Sequence, residues 1–375
     1  MLCRCRDGTS SPIIARMMES APATAAMTPS TQSLTAKSLA AEHGFPLHGI
    51  AHIPESGNTP RADVYAAWLE RGLEGPLDYM RESRDVRSQL RTRVPWARSI
   101  LALGTFHDSA ARGERGRDLI AHVARYARGR DYHRIFEKRL MKLALALRKA
   151  GVCSRTHWYV DTGPVLERAW AEAAGLGWSG KNGCLIHPRM GSFFMLAEII
   201  MDSAPEPDAP ALPHCGTCRR CIDSCPTQAL LGSGVLDANR CLVTWNVELR
   251  GQSPESTWAE QGAWVAGCDI CQTVCPYNAP RRLPAPDAEF AAPLPWQTLT
   301  LAECITMDVA LFDSAFQSSA LRRSGLKGMR LGAITVAGNL KLAECRAAVQ
   351  ACLRDPDADI RRRAEWALAR YDAAV

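Results

Sequence analysis

The chain has 375 residues, of which 47% are apolar and 22% are charged, and this balance excludes wholesale disorder, a collagen-like fibre and a coiled-coil rod. Its length allows about two to three domains of ordinary size. The net charge of +6 favours a polyanionic partner only mildly and does not identify one. No run of strongly apolar residues is long enough to span a membrane.

The N-terminal segment is rich in Ala, Ser, Thr and Pro, and Cys and Arg stand where a signal peptide would carry its apolar segment. We therefore expect a disordered tail over residues 1–33 and a cytoplasmic protein. Because thiols stay reduced inside the cell, clustered cysteines are interpreted first as metal ligands and only second as disulfides.

From Leu34 onwards the apolar residues alternate between helical and strand spacing. The predicted elements are helix 34–45, strand 46–53, helix 61–72, strand 99–106, helix 131–150, strand 156–161, a helix that starts at Pro164, and the apolar run 191–202. Strands that alternate with helices predict an α/β domain, which we place over 34–205. A proline-rich linker, 204–213, follows this domain.

The next unit, 206–285, contains eight of the 15 cysteines. Four of them, followed by Pro226, form the pattern C-x2-C-x2-C-x3-C-P that is typical of bacterial ferredoxins with 4Fe-4S clusters. A second run ends in Cys-Pro at Pro276 but has only three cysteines, and Cys241 lies between the runs to supply the fourth ligand. The pattern predicts a two-cluster ferredoxin-like domain, and a pair of four-cysteine zinc sites is the alternative.

Exchange of the fourth ligand between the runs assigns two sets of four cysteines. The first cluster takes Cys215, Cys218, Cys221 and Cys275, and the second takes Cys225, Cys241, Cys268 and Cys271. The other cysteines, including Cys153, Cys184 and Cys345, are interpreted as ordinary small buried or tail residues.

The upstream domain has neither a dinucleotide-binding G-x-G-x-x-G after a strand nor a phosphate-binding P-loop. Asp161 follows a predicted strand and is either a helix cap or a proton donor. The glycine-rich turn around Lys181 and Asn182 is either only a turn or a place where a ligand approaches the backbone. Arg87, and the segment 124–134 that contains His133, are each expected to be solvated unless a ligand recruits them.

The region 286–375 is predicted to be helical, and its last segment, 355–372, is typical of the loop and helix of one HEAT-type repeat. Apolar residues at helical spacing form one stripe, which comprises Leu326, Met329, Ala333, Val336 and Leu340. Six Lys or Arg against one Glu over 321–346 leave two interpretations open: a solvated helical cap, or a surface that binds nucleic-acid phosphates.

Five blocks in this order and spacing resemble the epoxyqueuosine reductase family over about residues 34–280. They are RYARGRDYH, YVDTGPVLERAWAEAAGLGWSGKN, GSFFMLAE, CGTCRRCIDSCPTQAL and GCDICQTVCPYN. The resemblance implies reduction of epoxyqueuosine to queuosine at the wobble position of a tRNA anticodon, with electrons passing through two 4Fe-4S clusters to cobalamin. It also implies that cobalamin lies between the α/β domain and the ferredoxin domain.

The resemblance further implies roles for individual residues. Asp161 is the proton donor, and it would need a raised pKa to stay protonated near neutral pH. The positions that contact the corrinoid are Arg87, Asn182, Leu185 and Leu196, together with Ala124 through its backbone and Lys181 as a further candidate. We expect a monomer that receives electrons from an external low-potential donor.

Three other functions are consistent with the same residues. One is a corrinoid enzyme similar to reductive dehalogenases, which acts on a small halogenated substrate. Another is an electron carrier whose α/β domain docks onto a second oxidoreductase and binds no corrinoid. The last is an RNA-binding protein whose clusters are only structural.

Overall fold

The computed structural model describes residues 27–107, 117–279 and 285–373. Most of the predicted tail, residues 1–26, lies outside the described residues. Helix α1 (Pro29–Glu42) begins five residues before the predicted start at Leu34. Thr28 caps it by accepting the amide of Thr31 at 3.2 Å, and a proline in the first turn suits the cap, because proline has no amide to leave unpaired.

The first domain is built on a four-stranded sheet with the order β1-β2-β6-β3. Its strands are β1 (Leu47–His52), β2 (Ser99–Phe106), β3 (Thr156–Tyr159) and β6 (Phe194–Met201). All three strand pairings are antiparallel, so the alternation of helices and strands does not produce a parallel α/β sheet, and the fold is of the α+β kind. A small hairpin of β4 (Trp178–Ser179) and β5 (Leu185–Ile186) lies outside this sheet.

Helices cover both faces of the sheet. One face packs against α1 and α5 (Tyr132–Lys149), whose apolar residues follow the predicted helical spacing. The other face packs against α6 (Glu167–Ala173), which begins three residues after the predicted Pro164. Along the chain, three short helices connect β1 to β2: α2 (Ala62–Glu70), α3 (Asp78–Glu82) and α4 (Arg84–Ser88).

The linker after β6 is held against the first domain. Asp208 accepts the amide of Ile50 at 2.9 Å and pairs with Lys37 at 2.5 Å, while its own amide donates to the Ile50 carbonyl at 2.9 Å. The cysteine-bearing segment then follows as short pieces around loops. These are α7 (Arg220–Asp223), β7 (Leu230–Gly232), β8 (Val235–Leu236), a π-helix (Thr244–Glu248) and α8 (Ile270–Thr273).

The C-terminal region is helical, as predicted. It contains α9 (Leu301–Thr306), α10 (Val309–Ala315), α11 (Gly325–Leu340), α12 (Arg346–Ala351) and α13 (Ala358–Asp372). Helix α11 is buried on almost every side, and of the predicted stripe only Leu340, at 41% exposed, faces solvent. Tight 3-10 turns flank α12 on both sides, over Ala343–Cys345 and Cys352–Arg354.

The six basic residues of the window 321–346 are paired within the fold, which favours the solvated cap over the phosphate-binding surface. Lys327 contacts Asp357 at 2.8 Å and Asp359 at 2.6 Å, and Arg330 contacts Asp355 at 2.6 Å. Three more basic residues form ion pairs: Arg322 with Asp313, Arg323 with Glu248, and Arg346 with Asp372. The last, Lys341, donates a hydrogen bond to the carbonyl of Ala373. The count of charged residues in the sequence includes these cations, but acidic residues of the loop before α13 and of neighbouring segments neutralise most of them.

Main-chain hydrogen bonds join the cysteine segment to the first domain. The amide of Ala124 donates to the carbonyl of Ala266 at 2.9 Å, and the amide of Val265 donates to the carbonyl of His122 at 2.8 Å. Gly267 is needed beside this junction, because its φ is +75° and a Cβ there would lie 2.4 Å from the Cβ of Ala124. Among the described residues, no helix is long and apolar enough to cross a membrane.

Candidate active site

Asp161 stands on a strained turn directly after β3. Its φ of +52° is uncommon for a residue with a side chain, and Thr162 closes a tight turn by donating its amide to the carbonyl of Val160 at 2.5 Å. The amide of Asp161 donates to Oε1 of Glu167 at 2.7 Å. The side chain is 49% exposed, so the turn presents a carboxyl group to solvent.

Two neighbouring residues of α5 contact the Asp161 carboxylate. Tyr132 donates its hydroxyl to Oδ2 at 2.7 Å, and Nε2 of His133 lies 3.4 Å from the same oxygen. The other ring nitrogen of His133 donates to Oδ1 of Asp131 at 2.8 Å, and Asp131 also caps α5. The imidazole therefore lies between two carboxylates and stacks on the Tyr132 ring at 4.1 Å.

These contacts place the proton on the histidine. Burial raises the pKa of Asp161, but hydrogen bonding to His133 and Tyr132 and the histidine charge outweigh it, and the pKa lies below the ordinary value. The expected raised pKa is therefore wrong. Burial lowers the pKa of His133, yet Asp131 and Asp161 together raise it to about 9. At neutral pH the site holds an imidazolium against a carboxylate.

Two further acids lie beside Asp161. Burial and the charge of Asp161 raise the pKa of Glu167 to about 7. Glu198, on β6, is only 2% exposed, and burial and the Glu167 charge raise its pKa well above the ordinary value. Arg87 lowers both pKa values, and it is itself 9% exposed. The guanidinium of Arg87 donates to the carbonyl of Val165 at 3.0 Å and to the Ser83 hydroxyl at 2.7 Å, so it is buried rather than solvated.

Electrostatic effects connect the predicted cysteines within two groups. Burial raises the pKa of Cys275, and the charges of Cys215 and Cys221 raise it further; Cys215 and Cys218 act on Cys221 in the same way. In the second group, burial raises the pKa of Cys268 to about 12, and the charges of Cys241 and Cys225 raise it further. A hydrogen bond with Cys184 and burial raise the pKa of Cys271, and the charges of Cys184, Cys268 and Cys241 raise it further. The assignment of four ligands to each cluster stays a prediction.

Hydrogen-bond donors point at a sulfur in each group. The indole Nε1 of Trp178 donates to Sγ of Cys215 at 3.4 Å, and the amide of Ala229 donates to Sγ of Cys225 at 3.4 Å. In the part of the chain that the structure describes, no three His, Cys, Asp or Glu side chains converge as ligands of one metal ion. A cubane binds its four thiolates to different irons, so its ligands need not converge on one point.

The glycine-rich turn contacts the cysteine loops. Lys181 donates to the carbonyls of Gly216 at 2.6 Å and Cys218 at 3.0 Å, and Asn182 donates to the carbonyl of Cys271 at 3.5 Å. Cys184 is not an ordinary buried cysteine, because its thiol shares a hydrogen bond with Cys271.

The other predicted corrinoid positions differ in accessibility. Leu185 and Ala124 are buried and Leu196 is partly buried. The amide of Ala124 donates to Ala266, and its carbonyl accepts from Ala127 at 3.0 Å.

Sequence reasoning missed several residues of the acid site. It treated the motif that contains Tyr132 and His133 as a solvated helix start, and it did not single out Glu167 or Glu198. The position of Glu198 carries a signal, because a charged residue stands in the middle of the apolar run 191–202, whose other charged residue, Asp202, ends it. The contact between His133 and Asp161 joins residues 28 positions apart and needs the three-dimensional fold.

Comparisons with known proteins agree with this arrangement. One family model, described as a 4Fe-4S double cluster binding domain, matches residues 214–278, and another, Epoxyqueuosine reductase QueG, DUF1730, matches residues 87–162. The chain is 38% identical over 306 residues to the epoxyqueuosine reductase of Gloeobacter violaceus, covering 80% of this chain and 94% of that protein. It is 36% identical over 361 residues to that of Xanthomonas campestris pv. campestris, covering 92% and 97%.

A solved structure extends the likeness to the whole fold. It is an epoxyqueuosine reductase with a tRNA-TYR epoxyqueuosine-modified tRNA stem loop, and it superposes with a TM-score of 0.79 at 28% identity, over 92% of each chain. Sequence relatives that are covered almost end to end, together with this shared fold, establish the relationship: the chain belongs to the epoxyqueuosine reductase family.

Proposed function

We propose that the protein reduces epoxyqueuosine to queuosine in the anticodon of a tRNA, with two 4Fe-4S clusters and cobalamin as cofactors. The observation that carries the proposal is an imidazolium–carboxylate site on the same framework as two groups of four cysteines. Family membership supplies the substrate, because a solved relative holds an epoxyqueuosine-modified tRNA stem loop. We further propose a cytoplasmic monomer that takes electrons from an external low-potential donor.

We assign the ligands of the two clusters as the sequence predicts. One cluster is held by Cys215, Cys218, Cys221 and Cys275, and the other by Cys225, Cys241, Cys268 and Cys271. The donor set fits the clusters, because each group offers four thiols and an N–H donor that points at one sulfur. Such hydrogen bonds stabilise negative charge on the ligand sulfurs and so help to set the reduction potential.

The residues available for cobalamin fit it in part. Asn182 is 6% exposed; its side-chain oxygen accepts the amide of Cys184 at 3.2 Å, whereas its NH2 group donates only one long 3.5 Å hydrogen bond, so that NH2 group is a donor that a corrinoid side chain can recruit. Leu185 and Leu196 supply apolar contact, and Arg87 supplies a buried cation near the acid site. Lys181 fits better as a support of the cluster loop, and the backbone of Ala124 is already paired on both sides.

The reaction needs two electrons and two protons, because the epoxide becomes an alkene and its oxygen leaves as water. Bound and reduced cobalamin supplies the electrons that open the ring. His133 holds the proton in the resting site, and Asp161 is the exposed group of the pair. We propose that Asp161 delivers one proton to the departing oxygen after taking it from His133, while Tyr132 orients the carboxylate, and that the second proton comes from solvent water.

The C-terminal helices complete the proposed architecture. We propose that α11 to α13 form a HEAT-like extension, because α11 is a central buried helix that α13 packs along. Its basic residues are paired, so contacts to tRNA phosphates are better supplied by exposed cations close to the acid site.

Anaerobic reconstitution with iron, sulfide and cobalamin tests the proposal. We expect about eight iron atoms per chain, one bound cobalt, and conversion of an epoxyqueuosine-modified anticodon stem loop to the queuosine form. Full iron loading without cobalt would favour the electron carrier. Cobalt binding without conversion of the stem loop would reject the tRNA substrate.

A further inference from the structure

A pair of carboxyl groups lies behind the Asp161 turn and takes no part in the proton delivery proposed above. Glu198 is at the middle of β6, in register with Ala102 on β2 and with Tyr159 on β3. Alternate residues of a strand share one face, so Glu198 points to the same side as Ile200. That side is covered by α6, which starts at Glu167.

A chain of contacts leads from this pair to the proton donor. Burial raises the pKa of Glu198, and the charge of Glu167 and hydrogen bonding between the two side chains raise it further, so the two carboxyl groups are close enough to interact. Oε1 of Glu167 accepts the amide of Asp161 at 2.7 Å. Oε1 of Glu198 is buried and has no hydrogen-bond partner among the described residues. Glu167 thus connects the interior of the sheet to the exposed turn.

We propose that Glu167 and Glu198 are positioning residues that hold the Asp161 turn in its working conformation. Glu198, protonated inside the sheet, donates to Glu167, and Glu167 in turn accepts the Asp161 amide. The inference rests on the proposed function in one respect, namely that Asp161 is the group being positioned. Neither glutamate needs to touch the substrate.

The turn needs such a support because its backbone is strained. A positive φ persists at a residue with a side chain only where surrounding contacts over-determine it. Asp161 is half-exposed, so packing alone does not hold it. The hydrogen bond from its backbone amide to the Glu167 carboxyl group is the contact that fixes the backbone at the strained residue.

The charges around the pair favour a retained proton. Two ionised glutamates would add negative charge beside the Asp161 carboxylate, and burial already penalises each charge. The raised pKa values of both groups agree with this. The groups that face the pair are Asp161, Arg87, Arg168 and the Tyr159 hydroxyl.

Hydrogen exchange of the reconstituted holoenzyme tests the inference without relying on turnover. The quantity is deuterium uptake at the Asp161 amide, obtained from overlapping peptides within residues 158–166. In Glu167→Ala we expect this amide to exchange roughly five- to tenfold faster, because its acceptor is lost. Glu167→Gln keeps an acceptor oxygen and should retain protection. Glu172→Ala is the matched control, because Glu172 lies on α6 but bonds to Arg61 and Ser179.

Variants of the buried partner give a second comparison. Glu198→Gln keeps a donor for Glu167 and should preserve protection of the Asp161 amide, whereas Glu198→Leu keeps the volume without a donor and should lose it. Iron content identifies variants that still fold around the clusters. Unchanged exchange in Glu167→Ala, or equal exchange in the two Glu198 variants, would overturn the positioning role. A wild-type enzyme that fails to convert the stem loop would reject the proposed function and leave the exchange result standing.

Discussion

The carboxylate of Asp161 lies 3.4 Å from Nε2 of His133, and the proton of the pair resides on the histidine. The proposed proton donor, Asp161, has a lowered pKa and is paired with a histidine of raised pKa, so under the proposed function the acid would be the pair rather than either residue. Sequence reasoning located Asp161 but assigned it the wrong protonation state, because the neighbouring imidazolium lies on a different element.

Replacing Asp161 with Asn should remove the group that meets the substrate and keep the hydrogen bond from Tyr132. We expect turnover to fall by about 10²- to 10⁴-fold, which is the usual range for a general acid. Single-turnover assays on the stem loop measure the rate, and iron and cobalt analysis serves as the control. Wild-type turnover with full metal content would exclude Asp161 as the proton donor.

The pKa of His133 gives the enzyme a defined pH dependence. Its folded value of about 9 lies above the ordinary 6.5, so the stabilisation is complete below pH 6.5 and is lost as the pH rises through about 9. The Tm of the wild type should fall over this range, and the Tm of His133→Gln should fall less. His43→Gln, whose ring bonds to the carbonyl of Leu39, is the control and should follow the wild type. Equal slopes in all three proteins would contradict the assignment.

A cysteine of the proposed ligand sets and a cysteine outside them should behave differently on substitution. Cys221→Ser removes a proposed ligand and should lower the iron content by about half, since one of two clusters is lost. Cys184→Ser should keep the full iron content, because Cys184 contacts Cys271 rather than completing either group of four. Iron quantification after anaerobic reconstitution distinguishes them. A loss of iron in Cys184→Ser would mean that the ligand sets need revision.

The tRNA contacts can be located by the dependence of affinity on salt. Lys327 and Arg330 are neutralised by aspartates, so their joint replacement with Ala should leave the salt slope unchanged. Arg130 and Arg134 are exposed beside the His133 motif, and their joint replacement should lower the slope by about two units if both bind phosphates. A lower slope after replacement of Lys327 and Arg330, with no change after replacement of Arg130 and Arg134, would show that the C-terminal helices bind the tRNA.

Arg363 supports the junction between the C-terminal helices and the cysteine segment. It is 2% exposed, donates to the carbonyl of Gly251 at 3.0 Å and to the hydroxyl of Thr335 at 2.5 Å, and lies 3.7 Å from the ring of Trp258. Burial lowers its pKa to about 9, so its charge is costly. Arg363→Ala should destabilise the protein by about 3 kcal/mol through a cavity and unpaired polar groups. Arg363→Met, which fills more of the space, should lower the stability less than Arg363→Ala does, and thermal unfolding of both variants measures the difference.

Local features of the fold were predictable, and pairings between distant segments were not. The strand predicted over 99–106 has the same bounds in the structure, and the helix predicted over 131–150 is shorter by one residue at each end. Apolar spacing is a local property, so it identifies such elements. The antiparallel order of the sheet depends on how strands meet across the chain, and alternation along the sequence does not encode it.

The same limit applies to the candidate site. Cysteine spacing was sufficient to anticipate a 4Fe-4S double cluster binding domain, because ligand loops are short and regular, whereas the division into two sets of four stays a prediction. The pairing of Lys327 with Asp357 and Asp359 crosses 30 residues and more, so counting charges in one window overstated the free positive charge. The pairing of Glu167 on α6 with the buried Glu198 on β6 likewise joins distant segments, so the sequence pattern does not reveal it.

The hydrogen bond from the amide of Ala124 to the carbonyl of Ala266 has a consequence for how fast electrons would move. With the bond from Val265 to His122, it ties the cysteine segment to the backbone beside the motif that contains Tyr132 and His133. Under the proposed function, electrons that leave the clusters would cross this fixed junction without collisions or hinge motion. Internal electron transfer should then be insensitive to solvent viscosity, and the arrival of the donor and of the tRNA should control the overall rate.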